Sequence, residues 1–282
     1  MLINILNLET VRAWQYGFQI PASPVMEGIV NFHHDLFFFL TVIVIFVLFM
    51  LVRSLMLFNN KINPTPLVVT HAPLLEIIWT IIPALILISI AIPSFSLLYS
   101  VDEIVQPLLT IKVIGHQWYW SYEFIDCDWI YKQITHNDTS VKMLETIGNE
   151  KIVSYDSYMV TLENTKYAGH RLLQVDNKVY VPVETNVRLI ITSADVIHAW
   201  AVPALGVKID ACPGRLNQTA LYVKRPGTFF GQCSEICGIN HGFMPIAVTA
   251  LDILGDGSRL DALHSEGIIA IFTFFVKKRL DL

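Results

Sequence analysis

Between Gly231 and Pro245 the chain reads G-Q-C-S-E-I-C-G-I-N-H-G-F-M-P, which places Cys233, Cys237, His241 and Met244 within a dozen residues. Thiolate, imidazole and thioether are soft or borderline donors, and together they suit copper better than a hard, oxygen-seeking ion. Zinc more often uses a C-x2-C knuckle and has little use for methionine. A C-x3-C pair alone would fit a disulfide about as well; the His and Met that follow at this spacing favour a metal. A mononuclear electron-transfer copper site uses one Cys with His ligands and a weak axial Met. The second Cys is therefore the informative departure, because two thiolates can bridge two coppers and share one unpaired electron between them. Such a site lacks one imidazole in this loop. His198, at the end of a strand-like segment within T-S-A-D-V-I-H-A-W-A-V-P, is the best candidate to supply it.

The elements that must carry these residues are of two kinds. Of the 282 residues, 54% are hydrophobic and only 15% charged, a balance too apolar for an ordinary soluble protein. The net charge of -5 argues against nucleic acid as a partner and suits a basic one. Cys127 and Cys212 stand apart from the loop pair, so no disulfide framework is implied. The first residues carry no basic n-region, and no secretory signal peptide is expected. An uncharged run from Leu36 to Val52 covers about 26 Å as a helix. With Arg53 snorkelling and the continuation to Phe58, it completes a membrane span. A second uncharged run, Ile77 to Val101, contains Pro83 and Pro93, which a membrane helix tolerates when packed against neighbours. Arg53 and Lys61 flank a short connector and favour both termini on the outer side. Beyond Val101 the pattern changes to short β-rich segments, L-L-T-I-K-V-I, N-V-R-L-I-I-T, A-L-Y-V and G-T-F-F, punctuated by Pro213-Gly214 and Pro226-Gly227. Such spacing suggests a small sandwich with the site on loops at one end.

Three motifs then carry a family resemblance: the Gly231–Pro245 loop, G-H-Q-W-Y-W-S-Y-E-F at Gly115 to Phe124, and D-V-I-H-A-W followed by D-A-C-P-G-R-L-N-Q at Asp210 to Gln218. Together with the two spans they resemble cytochrome c oxidase subunit II from the membrane helices to about Ala250. The expected fold is an N-terminal two-helix transmembrane hairpin plus an all-β, cupredoxin-like Greek-key sandwich. The expected parts are an N-terminal segment (1–27), the hairpin (28–102), the copper domain (103–254) and a tail (255–282). Two regions depart from the family: a polar insert at about 125–155, and a tail whose apolar Gly267–Val276 is too short to span and precedes Lys277, Lys278 and Arg279.

The resemblance implies a dinuclear copper A centre. Cys233 and Cys237 would bridge, with His198 and His241 as one imidazole per copper, Met244 as the weak axial ligand and the Glu235 backbone carbonyl opposite it. The Glu235 carboxylate would bind Mg2+ shared with the catalytic subunit, as suits a hard ion. Trp118 would receive the electron. Tyr119, Glu123, Asp156, Asp176 and Asp195 would dock basic cytochrome c, with Ala194 standing where some members carry another acid. Each acid taken alone reads as a solvated charge, and the aromatic cluster alone reads as core on an alternating strand. Glu76, at the boundary of the second span, is either an interfacial carboxylate or the mouth of a proton channel. The implied partners are cytochrome c, the haem-copper catalytic subunit I, further oxidase subunits and the lipid membrane. The implied location is the mitochondrial inner membrane with the copper domain in the intermembrane space, ahead of a bacterial plasma membrane. The competing readings are a quinol-oxidase-type structural subunit II, disfavoured because the ligands are all present, and a membrane-tethered mononuclear copper carrier, disfavoured by the second Cys.

Overall fold

The helices begin where local chemistry allows. The computed structural model describes residues 8–9, 11, 14–65, 68–125, 153–161 and 171–252. Helix α1 spans Pro24–Leu57 and α2 spans Pro73–Asp102. Each opens on proline, whose missing N–H costs nothing in the first turn. Ser23 caps α1: its Oγ accepts from the Met26 backbone N–H at 3.0 Å. At α2 the Glu76 carboxylate reaches back to the Ala72 N–H at 3.3 Å, a favourable place for negative charge. Both helices are long and apolar enough to cross a membrane. Thr41, Thr80, Ser89 and Ser100 each donate to a backbone carbonyl one turn earlier, which satisfies the hydroxyls without water. Gly28 to Ser100 form one compact unit, and the described residues before and after it belong to a second.

That second unit is a β-sandwich. One sheet has the order β4-β3-β2-β6-β9, built from β2 (Leu109–His116), β3 (Tyr119–Ile125), β4 (Val153–Ser157), β6 (Asn186–Ser193) and β9 (Asn217–Tyr222). The other has the order β1-β10-β11-β5, from β1 (Leu8–Glu9), β5 (Val179–Pro182), β10 (Gly227–Gln232) and β11 (Pro245–Leu251). A two-stranded ribbon, β7 (His198–Val202) with β8 (Val207–Ala211), completes it. Alternation sorts the side chains: Ile111 and Val113 of β2, Leu189 and Ile191 of β6, and Trp120, Tyr122 and Phe124 of β3 all point inward. They meet Phe229, Ile246 and Val248 from the opposite sheet. The other face of β10 and β11 is covered through Phe230 and Ala247, which cluster with Val175.

Two boundaries differ from the sequence reading. The described residues before α1 are not a separate part: Leu8 and Glu9 pair parallel with Thr228 and Phe229, and Ala22 is buried in the sandwich core. The Ala22 backbone bonds Ala204 O at 2.9 Å and accepts from Lys224 N at 2.8 Å, while Glu27 pairs with Lys224. Gly206 is left-handed (φ 68°) and lies against the Met26 backbone, where a Cβ would stand 3.0 Å from its nitrogen. The ends of the expected insert are strand, since Phe124 already pairs with Val153. The rest of that insert, Cys127 and the tail after residue 252 lie outside the described residues.

Candidate metal centre

Parallel pairing of β2 with β6 brings the ends of both strands to one edge of the sandwich, with Gly115 opposite Ser193. From there three loops converge: Gln117–Trp118 between β2 and β3, residues 194–197 before β7, and residues 233–244 between β10 and β11. Ser234 N donates to Ala199 O at 3.1 Å, tying the third loop to β7. Gly231 permits this approach, because a Cβ there would overlap the Ala201 carbonyl oxygen, a backbone atom that cannot swing aside. The loop closes on a short 3-10 turn at His241–Phe243, and Met244 returns buried to the core.

The donor atoms expected from the sequence meet here. Cys233 and Cys237 are both free and buried, with sulfurs 4.0 Å apart. Cys233 Sγ lies 3.9 Å from His198 Nδ1, and Cys237 Sγ lies 3.7 Å from His241 Nδ1. Met244 Sδ is 3.6 Å from Cys237 Sγ, and the Glu235 carbonyl oxygen 3.3 Å from Cys233 Sγ. Bonds from metal to thiolate of about 2.3 Å let sulfurs at this spacing share an ion. Each flank of the sulfur pair carries one nitrogen and one weaker donor. The donor atoms of His198, Cys233 and Cys237 all lie within 4.8 Å of one another. The donor set fits copper in softness and in number.

Protonation follows from the neighbours. His198 is fully buried, and its Nε2 lies 2.8 Å from Asp195 Oδ1. The carboxylate holds the Nε2 proton, so Nδ1, which faces Cys233, is the nitrogen placed to become a metal ligand. Burial alone would lower the His198 pKa, but Cys233 and Asp195 outweigh it and raise it. Burial also disfavours the Cys233 thiolate, yet the hydrogen bonds from His198 and the Ala199 backbone prevail and bring its pKa down to about 6. For Cys237 burial and the adjacent Cys233 charge act together and push it up to about 12. Between those values the metal-free pair keeps one proton, which binding must expel. Copper affinity is therefore expected to rise with pH, by about tenfold per unit for one displaced proton. Competition titrations from about pH 6.5 to 8.5 check this. A flat profile would contradict the shared proton.

Asp195, expected as a docking acid, is thus turned partly inward: it also accepts from Gln117 N at 2.6 Å and Val196 N at 2.6 Å. These bonds overcome burial and hold its pKa below the usual range. Glu123 is paired with Lys112 at 2.8 Å and its side chain is only 12% exposed, so its charge is largely offset. Asp156 accepts from Ser121 Oγ at 2.7 Å, and Asp176 from Tyr158 N at 2.7 Å. Tyr119 stacks between His116 and Tyr158, with centroids 4.6 and 4.5 Å away. Trp118 packs on Gly238 and lines an open cleft with Gln117, Tyr119, Tyr158, Met159, Asn240 and Phe243. Gln117 and Trp120 are the contributors that residue-type reasoning passed over. Gln117 Nε2 donates to Cys237 O at 2.8 Å, and Trp120 Nε1 donates to Met244 O at 3.2 Å. Only the alternation around Trp118–Phe124 hinted at Trp120.

Comparison with known proteins agrees with this architecture. Residues 109–251 match the family model for the cytochrome c oxidase subunit II periplasmic domain, and residues 11–97 match that for its transmembrane domain. The cytochrome c oxidase subunit 2 of Phytophthora megasperma is 53% identical over 87% of this chain and 86% of its own length. That of Cyanidium caldarium is 50% identical over 88% of this chain and 90% of its own length. A solved periplasmic domain of subunit II of cytochrome oxidase from Bradyrhizobium japonicum is 39% identical, covering 58% of this chain and 96% of that one, with a TM-score of 0.43.

Proposed function

The chain belongs to the cytochrome c oxidase subunit II family, and on that premise we propose that it takes electrons singly from cytochrome c at a dinuclear copper centre and passes them to a haem of the catalytic subunit, where oxygen is reduced to water and protons are pumped. It is a membrane protein and part of an oxidoreductase complex. The observation that carries the proposal is the mirrored donor set, in which each buried sulfur has its own imidazole nitrogen. Copper held by Cys233, Cys237, His198, His241 and Met244 would supply a one-electron store whose charge is spread over two ions. The residues do the positioning: Asp195 fixes the His198 tautomer, the Ala199–Ser234 bond holds the loop to β7, and Trp120 walls the site. A cage set before the electron arrives keeps reorganisation small.

The Trp118 ring, which rests on Gly238 beside Cys237 and lines the open cleft, would receive the electron. Asp156 and Asp176, with Tyr119 and Tyr158, form the docking face for a basic partner, and Glu123 contributes less because of Lys112. The half-buried Glu235 carboxylate, which has no ion-pair partner among the described residues, would take Mg2+ together with the catalytic subunit. The mitochondrial inner membrane, with the copper domain in the intermembrane space, fits the relatives from an oomycete and algae. Oxidase containing this chain is expected to oxidise reduced cytochrome c at a rate that drops by about an order of magnitude between about 10 and 150 mM salt, as the screening length shortens from about 30 to 8 Å. Turnover with quinol but not with cytochrome c would move the assignment to the structural-subunit reading.

Glu76, capping α2 at its connector end, is proposed as the mouth of a proton path into the catalytic subunit. Glu76→Gln keeps the cap's shape but cannot hand on a proton. Turnover is expected to fall about tenfold or more with the copper spectrum unchanged. Unchanged turnover would leave Glu76 as a capping residue.

A further inference from the structure

Gln117 touches both halves of the metal centre without being a donor to it. Its backbone N–H donates to Asp195 Oδ2 at 2.6 Å, and the other oxygen of that carboxylate faces His198 Nε2 at 2.8 Å. Its side-chain Nε2 donates to the Cys237 carbonyl at 2.8 Å, across 120 residues of chain. It directly precedes Trp118. A Cβ on Gly238 would stand 3.1 Å from Trp118 Cζ2 and 3.3 Å from Gln117 Nε2, so ring and amide both rest on the same bare stretch of loop backbone. Trp118 Nε1 is buried and makes no hydrogen bond among the described residues. The indole is therefore placed by packing and by its neighbours, not by its own polar atom.

We infer that Gln117 is a positioning residue for electron acceptance: its side-chain amide clips the Trp118-bearing hairpin to the Cys237 peptide and fixes the contact between the indole and Gly238. This rests on the reading that Trp118 receives the electron from cytochrome c. Tunnelling across a non-bonded gap weakens exponentially with its width, so the contact sets the rate even when the donor is already docked. The clip needs a donor of this length. Glutamate has the length but as a carboxylate cannot donate to a carbonyl, and methionine has the length with no polar hydrogen. Gly238 completes the pair: its backbone (φ 127°) lies where most side chains are strained, and a side chain would part the ring from the loop.

The test uses intact oxidase carrying wild-type chain, Gln117→Glu or Gln117→Met. Reduction of the copper centre is followed by rapid mixing with saturating reduced cytochrome c, alongside KM, copper content and the copper paramagnetic spectrum. Both variants are expected to slow the saturating rate by about tenfold or more. In Gln117→Met, which leaves the charge of the docking face as it is, KM should stay within about twofold of wild type, while the added carboxylate of Gln117→Glu should lower it. Copper content and spectrum should be unchanged. A saturating rate within about twofold of wild type in both variants would overturn the inference, as would loss of copper from both, which would make Gln117 a support for the ligands instead. Wild-type oxidase that cytochrome c fails to reduce would remove the underlying reading and leave the geometry of the clip untouched.

Discussion

Oxidase carrying Cys233→Ser is expected to lose the copper signal shared over two nuclei and to retain under about one per cent of its turnover with cytochrome c. Partners outside the ligand set typically change metal affinity or activity by 10–100-fold, so loss of a ligand central to the site should exceed that range. Cys233 is central by position: within 4.0 Å its sulfur faces His198 Nδ1, the Glu235 carbonyl and Cys237 Sγ. Serine is nearly isosteric, but its hydroxyl does not ionise near neutral pH and offers a hard donor to a soft ion. The fold should survive, because the β10–β11 register on either side of the loop runs from Gly227 to Gln232 without using the side chain. The expected pattern is therefore a chain that still assembles, with the electron path broken. Turnover above about a tenth of wild type would contradict the assignment of Cys233 as a bridging ligand.

Trp120→Ala should act on stability and site together. Trp120 is fully buried, among the largest such side chains in the domain. Removing a buried Trp typically costs about 3–5 kcal/mol, a large part of the 5–15 kcal/mol that holds an ordinary domain. The same indole donates to Met244 O and stands edge-on to the His198 ring at 5.9 Å. The cavity would therefore open beneath both a thioether donor and an imidazole donor. A melt lowered by about 10 °C, with copper content cut by half or more, is the expected outcome. Trp120→Phe should recover most of the melt, because it restores the ring and forgoes one hydrogen bond of about 1 kcal/mol, while copper retention stays below wild type. A normal melt and full copper in Trp120→Ala would show that the wall is dispensable.

The meeting of Cys233, Cys237, His241 and Met244 with His198 was legible in the sequence because residues of rare donor type sit at short, fixed spacing in one loop that is short of one imidazole. The two spans were legible from hydropathy, and β2, β6, β9 and β10 from runs of β-branched residues between turn signals. The core reading of G-H-Q-W-Y-W-S-Y-E-F holds for alternate residues. Trp120, Tyr122 and Phe124 are core, while Tyr119 and Glu123 lie on the other face of β3. What stayed hidden depends on long-range contact. An acid three residues before a histidine gives no sign that it turns inward, yet Asp195 does so because β2 delivers the Gln117 N–H to it. Glu123 reads as a free charge until the strand register sets it opposite Lys112. The membership of Leu8, Glu9 and Ala22 in the sandwich rests on pairings across some two hundred residues, which no local pattern encodes.

The measurement that bears most directly on the account is copper per chain together with the electron paramagnetic resonance spectrum of the oxidised oxidase. The account predicts two coppers in this chain and a hyperfine pattern from one electron spread equally over two nuclei, lost in Cys233→Ser. One copper with a localised four-line signal would contradict the paired-thiolate centre and return the chain to a mononuclear carrier.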